Sequence, residues 1–133
     1  MNDAEYILLQ IEDVLEVHHD QIELYGGSTG VRDMGLLDSA VKAPAATAFG
    51  EMLHKNVFEL AAAYLYYLVK NHAFIDGNKR VGLASALLFL DLNGIDINVD
   101  SETLSAMVLA VATDQLDKAG VADFFRLTAQ PRP

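Results

Sequence analysis

Two long segments of this chain are apolar on nearly every side and stand only a few residues apart. The first, Val57 to Val69, reads Val-Phe-Glu-Leu-Ala-Ala-Ala-Tyr-Leu-Tyr-Tyr-Leu-Val, and the second runs from about Asn78 to Leu92. A helix that is apolar all round must be surrounded by other protein or by lipid. Neither segment approaches the roughly 18 uninterrupted apolar residues of a membrane span, so both belong in the middle of a folded core. The link between them, His72 to Gly77, is then held at both ends by that core, which is where a rigid site belongs.

The rest of the chain supplies the layers around this pair. Ile7, Leu8, Ile11, Val14, Leu15 and Ile22 follow a helical period, with Glu12, Asp13 and Glu16 on the opposite side, which predicts an amphipathic first helix. Tyr25 to Gly30 is a loop, and Gly35 to Lys42 is a short second helix stopped by Pro44. Pro44 to Lys55 is poorly patterned and reads as a surface segment, flexible at Gly50, that could cover a site. Beyond the second central helix, Asn93-Gly94 supplies a left-handed stop. Ile95 to Val99 is a brief extended link, a helix capped by Asp100 or Ser101 runs to about Thr113, another covers about Lys118 to Ala129, and Pro-Arg-Pro is a tail. The expectation is an all-α, compact helical bundle forming a single domain over residues 1–133.

Composition narrows the function classes. The absence of cysteine excludes disulfides, thiolate metal sites and a cysteine nucleophile, and suits a cytoplasmic protein. The N-terminus is acidic where a secretory signal would be basic, so the expectation is a soluble, unexported chain. A formal net charge of -10 argues against a broad nucleic-acid surface. Any phosphate site must be local, which gives the adjacent cations Lys79 and Arg80 unusual weight.

The His72-Ala73-Phe74-Ile75-Asp76-Gly77-Asn78-Lys79-Arg80 stretch carries the candidate chemistry. A helix starting at Asn78 offers unpaired N–H groups and a partial positive charge to an anion such as phosphate. Gly77 lets the backbone come close, Asn78 can cap the helix or bond an oxygen, and Arg80 can grip phosphate oxygens with its planar fork. Lys79 adds a second, pointlike cation. Asp76, the one carboxylate among these groups, suits Mg2+ shared with a polyphosphate such as ATP. His72 is placed to take the proton of an incoming hydroxyl. Phe74 most simply plugs into the core and pins the loop.

This order of residues resembles the Fic motif, His-Pro-Phe-x-Asp/Glu-Gly-Asn-Gly-Arg followed by two residues and a second Arg, and is closer still to the Doc (death-on-curing toxin) branch, where Lys replaces the second motif Gly. The block from Gly30 to Ala40, Gly-Val-Arg-Asp-Met-Gly-Leu-Leu-Asp-Ser-Ala, and Phe89 to Gly94 also look like Doc sequences. The resemblance implies a Fic-like helical bundle with His72 as catalytic histidine, Asp76 as metal ligand, and Gly77, Asn78, Lys79 and Arg80 on phosphate. Ala73 stands for the motif Pro, Lys79 for Gly, and Leu83 for the second Arg. The last two substitutions disfavour AMP transfer and favour phosphorylation with ATP. The target class that the resemblance implies is bacterial elongation factor Tu, modified on a threonine.

Many Fic proteins carry an inhibitory helix with the pattern Ser/Thr-x-x-x-Glu-Gly/Asn, and no Glu of this chain is followed by Gly or Asn. Inhibition is therefore expected from a separate polypeptide, a Phd-like antitoxin. Two other readings compete: protein adenylylation of the Fic type, and a Fic fold that only binds a partner. His18, His19 and His54 have no metal-site spacing and are read as packing or surface residues. Gly26 to Gly30 lacks the Gly-Lys-Ser/Thr ending of a phosphate loop and is read as a turn. Tyr64, Tyr66 and Tyr67 are read as core packing, and Arg32 as a cation paired with a carboxylate or touching substrate.

Overall fold

A computed structural model describes residues 5–132. Met1 to Ala4 of the acidic N-terminus and Pro133 of the expected tail lie outside the described residues. The helices are α1 (Ile11–Tyr25), α2 (Met34–Lys42), α3 (Val57–Asn71), α4 (Asn78–Leu92), α5 (Ser101–Ala112) and α6 (Lys118–Thr128). Among the described residues no helix is long and apolar enough to cross a membrane. Two antiparallel strand pairs accompany them, β1 (Thr47–Ala48) with β2 (Glu51–Met52) and β3 (Ile95–Ile97) with β4 (Ala129–Pro131).

Helix α3 is the axle of the fold, and α1, α2, α4, α5 and α6 are arranged about it and its partner α4. Leu60, Ala61, Ala62, Ala63, Tyr64, Leu65, Leu68 and Val69 are all buried, so its burial runs round most of the helix, as its composition requires. Three consecutive alanines keep it slim. At the α3–α4 contact a Cβ added to Gly82 would stand 2.7 Å from Val69 Cγ2 and 3.2 Å from the Leu65 carbonyl. Val69 is β-branched, buried and rotamerically stiff. Gly82→Ala should therefore lower stability: overpacking costs roughly 1–3 kcal/mol, and the helix-propensity gain of about 1 kcal/mol offsets only part of it. A melting temperature equal to or above that of the parent would contradict this close contact.

The structure departs from the sequence reading at the ends of elements. The first helix starts at Ile11, not Ile7, because Gln10 N–H is taken by the Asp13 carboxylate at 2.7 Å. The described residues before it are not helical, and Gln10 is extended. Ile7 exchanges two hydrogen bonds with the Asn93 side chain (2.8 and 3.0 Å), and Leu9 N–H donates to the buried Tyr64 hydroxyl at 3.0 Å. Burial holds the Tyr64 phenol above its usual range. Pro44 to Lys55 is not a bare surface segment. A 3-10 turn (Ala43–Ala45) and the β1–β2 hairpin, with Phe49 and Gly50 at positive φ, fold it against the body. Pro44 and His54 are buried and bonded to each other through His54 Nδ1 and the Pro44 carbonyl at 2.9 Å. His54 is held below its usual basicity, first by that burial. Of the expected C-terminal tail, Pro131 belongs to the strand β4, which also takes Ala129, read from the sequence as the end of the last helix. β4 pairs with β3, and Arg132 forms ion pairs with Asp91 and Asp96. A strand this short had no periodicity to betray it.

Candidate active site

The loop from His72 to Gly77 leaves α3 by a left-handed residue and enters α4 by another. His72 occupies the C-cap of α3 at φ 50, and Gly77 the N-cap of α4 at φ 82. Between them Phe74 is 2% exposed and stacks on the buried His18 ring at 4.0 Å. His18 Nε2 donates to the Asp76 carbonyl at 3.0 Å, so one histidine supports the loop from beneath. Asn78 folds back on it from α4: its amide oxygen accepts from Phe74 N–H and its amide nitrogen donates to the Phe74 carbonyl, both at 3.0 Å. That leaves one N–H of the amide for any other acceptor. With its side chain so engaged, Asn78 does not cap α4.

Asp33, Asn56, Asp100 and Asp117 cap α2, α3, α5 and α6 with side-chain oxygens, whereas α4 starts at Gly77 with no side-chain cap. Its first N–H groups are orphan donors beside the positive end of the helix dipole. This helix start lines a cavity of about 330 Å³ together with His72, Ile75, Asp76, Lys79, Arg80, Val69 and Ala112. All six residues singled out in the sequence, His72, Asp76, Gly77, Asn78, Lys79 and Arg80, therefore border one space. Arg80 donates to the Gly26 carbonyl at 3.2 Å and lies over the Tyr25 ring at 5.7 Å. Leu83, at the place of the second motif Arg, lines a neighbouring groove with Val108 and Leu109.

The turn from Gly26 to Gly30, which carries no phosphate-loop ending, packs directly on the site. Ser28 N–H donates to Asp76 Oδ2 at 3.2 Å, and Gly77 N–H donates to Asp76 Oδ1 at 2.9 Å, so main-chain groups aim both carboxylate oxygens. Among these cavity groups Asp76 supplies the only carboxylate, and a divalent cation there would take its remaining ligands from phosphate and water, as Mg2+ commonly does. A Cβ on Gly27 would fall 2.8 Å from Asp76 Oδ2 and 3.1 Å from Ile22 Cδ1, at φ 121. Gly27→Ala should thus displace Asp76 as well as strain the backbone by about 1–3 kcal/mol. Gly26→Ala, with a positive φ but open space around its Cβ, is the matched control. Equal losses of stability in the two variants would remove the special role of Gly27.

Sequence reasoning read Gly27 and Ser28 only as part of a turn and His18 as a packing or surface residue, and placed none of them at the site. The adjacent glycines between two helices were the available signal, since paired glycines mark a close backbone approach. Arg32 was seen but given a carboxylate or substrate partner. It instead donates from Nε and Nη2 to the His72 carbonyl, at 2.9 and 2.6 Å.

The sequence model of the Fic/DOC family matches residues 8–90. This chain belongs to the Fic/DOC family. The matched stretch takes in the motif loop, the Gly26–Gly30 turn and nearly all of α4. Helices α5 and α6 and the β3–β4 pair fall beyond it. Among relatives in the family, Toxin Doc of Mycolicibacterium smegmatis is 41% identical over 100 residues, 74% of this chain and 77% of that protein. Protein kinase doc of Escherichia phage P1 is 35% identical over 116 residues, 86% of this chain and 90% of that protein.

Proposed function

We propose that this chain is the toxin of a toxin–antitoxin module that phosphorylates a hydroxyl side chain of a protein target, using ATP and Mg2+. The observation that carries the reading is the uncapped start of α4, flanked by Lys79 and Arg80, in the same cavity as His72 and Asp76. An anion-seeking helix end, two cations, one carboxylate and one imidazole are the parts that phosphoryl transfer needs, because its catalysis is mostly positioning and charge stabilisation. The names of the two Doc relatives point the same way.

In this reading the β- and γ-phosphates of ATP lie against the N–H groups of α4, with Arg80 and Lys79 on their oxygens and Asp76 as the protein's metal ligand. Mg2+, when bound, neutralises phosphate charge. His72 takes the proton of the target hydroxyl as its oxygen bonds to the γ-phosphorus. The bond from that phosphorus to the β,γ-bridging oxygen breaks, and ADP leaves. By resemblance the target is a threonine of elongation factor Tu, its modification blocks translation in the cytoplasm, and a Phd-like antitoxin restrains the enzyme.

The test is to incubate the protein with elongation factor Tu, Mg2+ and ATP labelled at either the α- or the γ-phosphate. Label from the γ position alone is expected. Label from the α position alone would replace this reading with AMP transfer, in which pyrophosphate leaves. Absence of ATP binding in the presence of Mg2+ would favour a binding-only module.

A further inference from the structure

The His72 imidazole makes no hydrogen bond among the described residues, and the residue is exposed. Nothing attached to the ring aims it, so its direction depends on how firmly its backbone is held. That backbone is in an unfavourable state, since a non-glycine residue at φ 50 is in the left-handed region. Something must hold it there. Two N–H groups of one guanidinium, Arg32 Nε and Nη2, converge on the His72 carbonyl.

The main chain around Arg32 holds the next peptide as well. Arg32 N–H and Asp33 N–H both donate to the Ala73 carbonyl, at 2.8 and 3.1 Å, Val31 bridges Phe74, and Ile75 N–H donates to the Gly30 carbonyl at 3.2 Å. Side chain and main chain of one residue therefore clasp successive carbonyls, His72 and Ala73. Arg32 is not among the residues lining the cavity, and among the described residues no carboxylate lies within ion-pair distance of it. Its charge is directed at a carbonyl beside the negative end of the α3 dipole, where a cation is favoured.

We propose that Arg32 is a positioning residue for the reaction, acting on His72 through its carbonyl without touching nucleotide or target. The proposal rests on the role given to His72 above. Two bonds from a rigid fork fix both the distance and the plane of the carbonyl. A lysine can supply a point donor but not the fork, which makes Arg32→Lys a graded probe.

In the labelled-ATP assay, Arg32→Ala should lower kcat by about ten-fold or more, because a small misplacement of a reacting group costs up to roughly 10²-fold. KM for ATP should stay within about two-fold, since the phosphate-binding groups are untouched. Arg32→Lys should recover part of kcat, and millimolar guanidinium ion added to Arg32→Ala should recover more of it. Independently of turnover, the His72 Cε1–H resonance, assigned by its absence in His72→Asn, should shift or broaden in Arg32→Ala while those of His18, His19 and His54 stay in place. A folded Arg32→Ala with parental kcat and an unmoved His72 resonance would overturn the proposal. So would a fall in kcat matched by loss of folded protein and unrelieved in Arg32→Lys. If the parent protein transfers no label yet the resonance moves, the kinase reading fails and the positioning inference stands.

Discussion

His72→Asn should cut phosphoryl transfer by about 10²–10⁴-fold, the usual worth of a positioned general base, with little change in melting temperature. Asparagine is the informative replacement because His72 sits at φ 50, a region that Asn tolerates far better than Ala. Its carbonyl stays available to Arg32, so the turn keeps its clasp while the proton acceptor is lost. Binding of ATP with Mg2+ should persist, because the groups assigned to phosphate lie on α4 and not on His72. Calorimetric titration of ATP beside a single-turnover measurement separates the two. A variant that transfers phosphate at the parental rate would remove His72 from the chemistry and leave the cavity without a base. In cells, expression of the parent alone should arrest bacterial growth and expression of the variant should not.

Asp76→Asn should raise the Mg2+ concentration needed for half-maximal activity by about 10²-fold or more. Loss of even an outer-shell partner of a metal ligand commonly costs roughly 10–100-fold in affinity, and here the charge itself is removed. The substitution is nearly isosteric. The side-chain oxygen can still accept from Gly77 N–H, now without its charge, although the amide nitrogen would face Ser28 N–H if placed at the Oδ2 position. Some loosening of the Gly26–Gly30 turn should follow. Varying Mg2+ at fixed ATP distinguishes a metal defect, which high Mg2+ relieves, from a positional one, which it does not. Unchanged Mg2+ dependence would mean that Asp76 only braces the turn.

The sequence revealed the core of this molecule more readily than its edges. The two apolar helices, their interrupting loop and the order of the remaining helices all follow from burial periodicity, and α4 begins and ends where Asn78 and Leu92 predicted. Of the short strands only β3 was legible, inside the extended link read from Ile95 to Val99; β1, β2 and β4 span two or three residues each, too few for alternation to register. Residues lining the candidate site were legible where they were contiguous, His72 to Arg80. The residues that tertiary structure brings behind the loop to support it were not: His18 looks like any amphipathic-helix histidine, and Arg32 has no local partner that names its target. Of the two roles read for Asn78, capping α4 or bonding an oxygen, the cap is not taken up, for a related reason. Its amide serves the loop behind it, and α4 is left open at the end where an anion is proposed to bind.

The antiparallel clasp between residues 30–33 and 73–75 joins two stretches some forty positions apart in the chain. Helices form from local contacts, but a closure of this span waits on the docking of α2 against α3 and of α1 against α4. A partly folded, molten form with its helices intact could thus carry every motif residue on a loose hinge and have no working site. Far-UV circular dichroism would not tell that form from the native one. For this protein, the difference between a harmless chain and a competent enzyme lies in tertiary packing that helical content does not report.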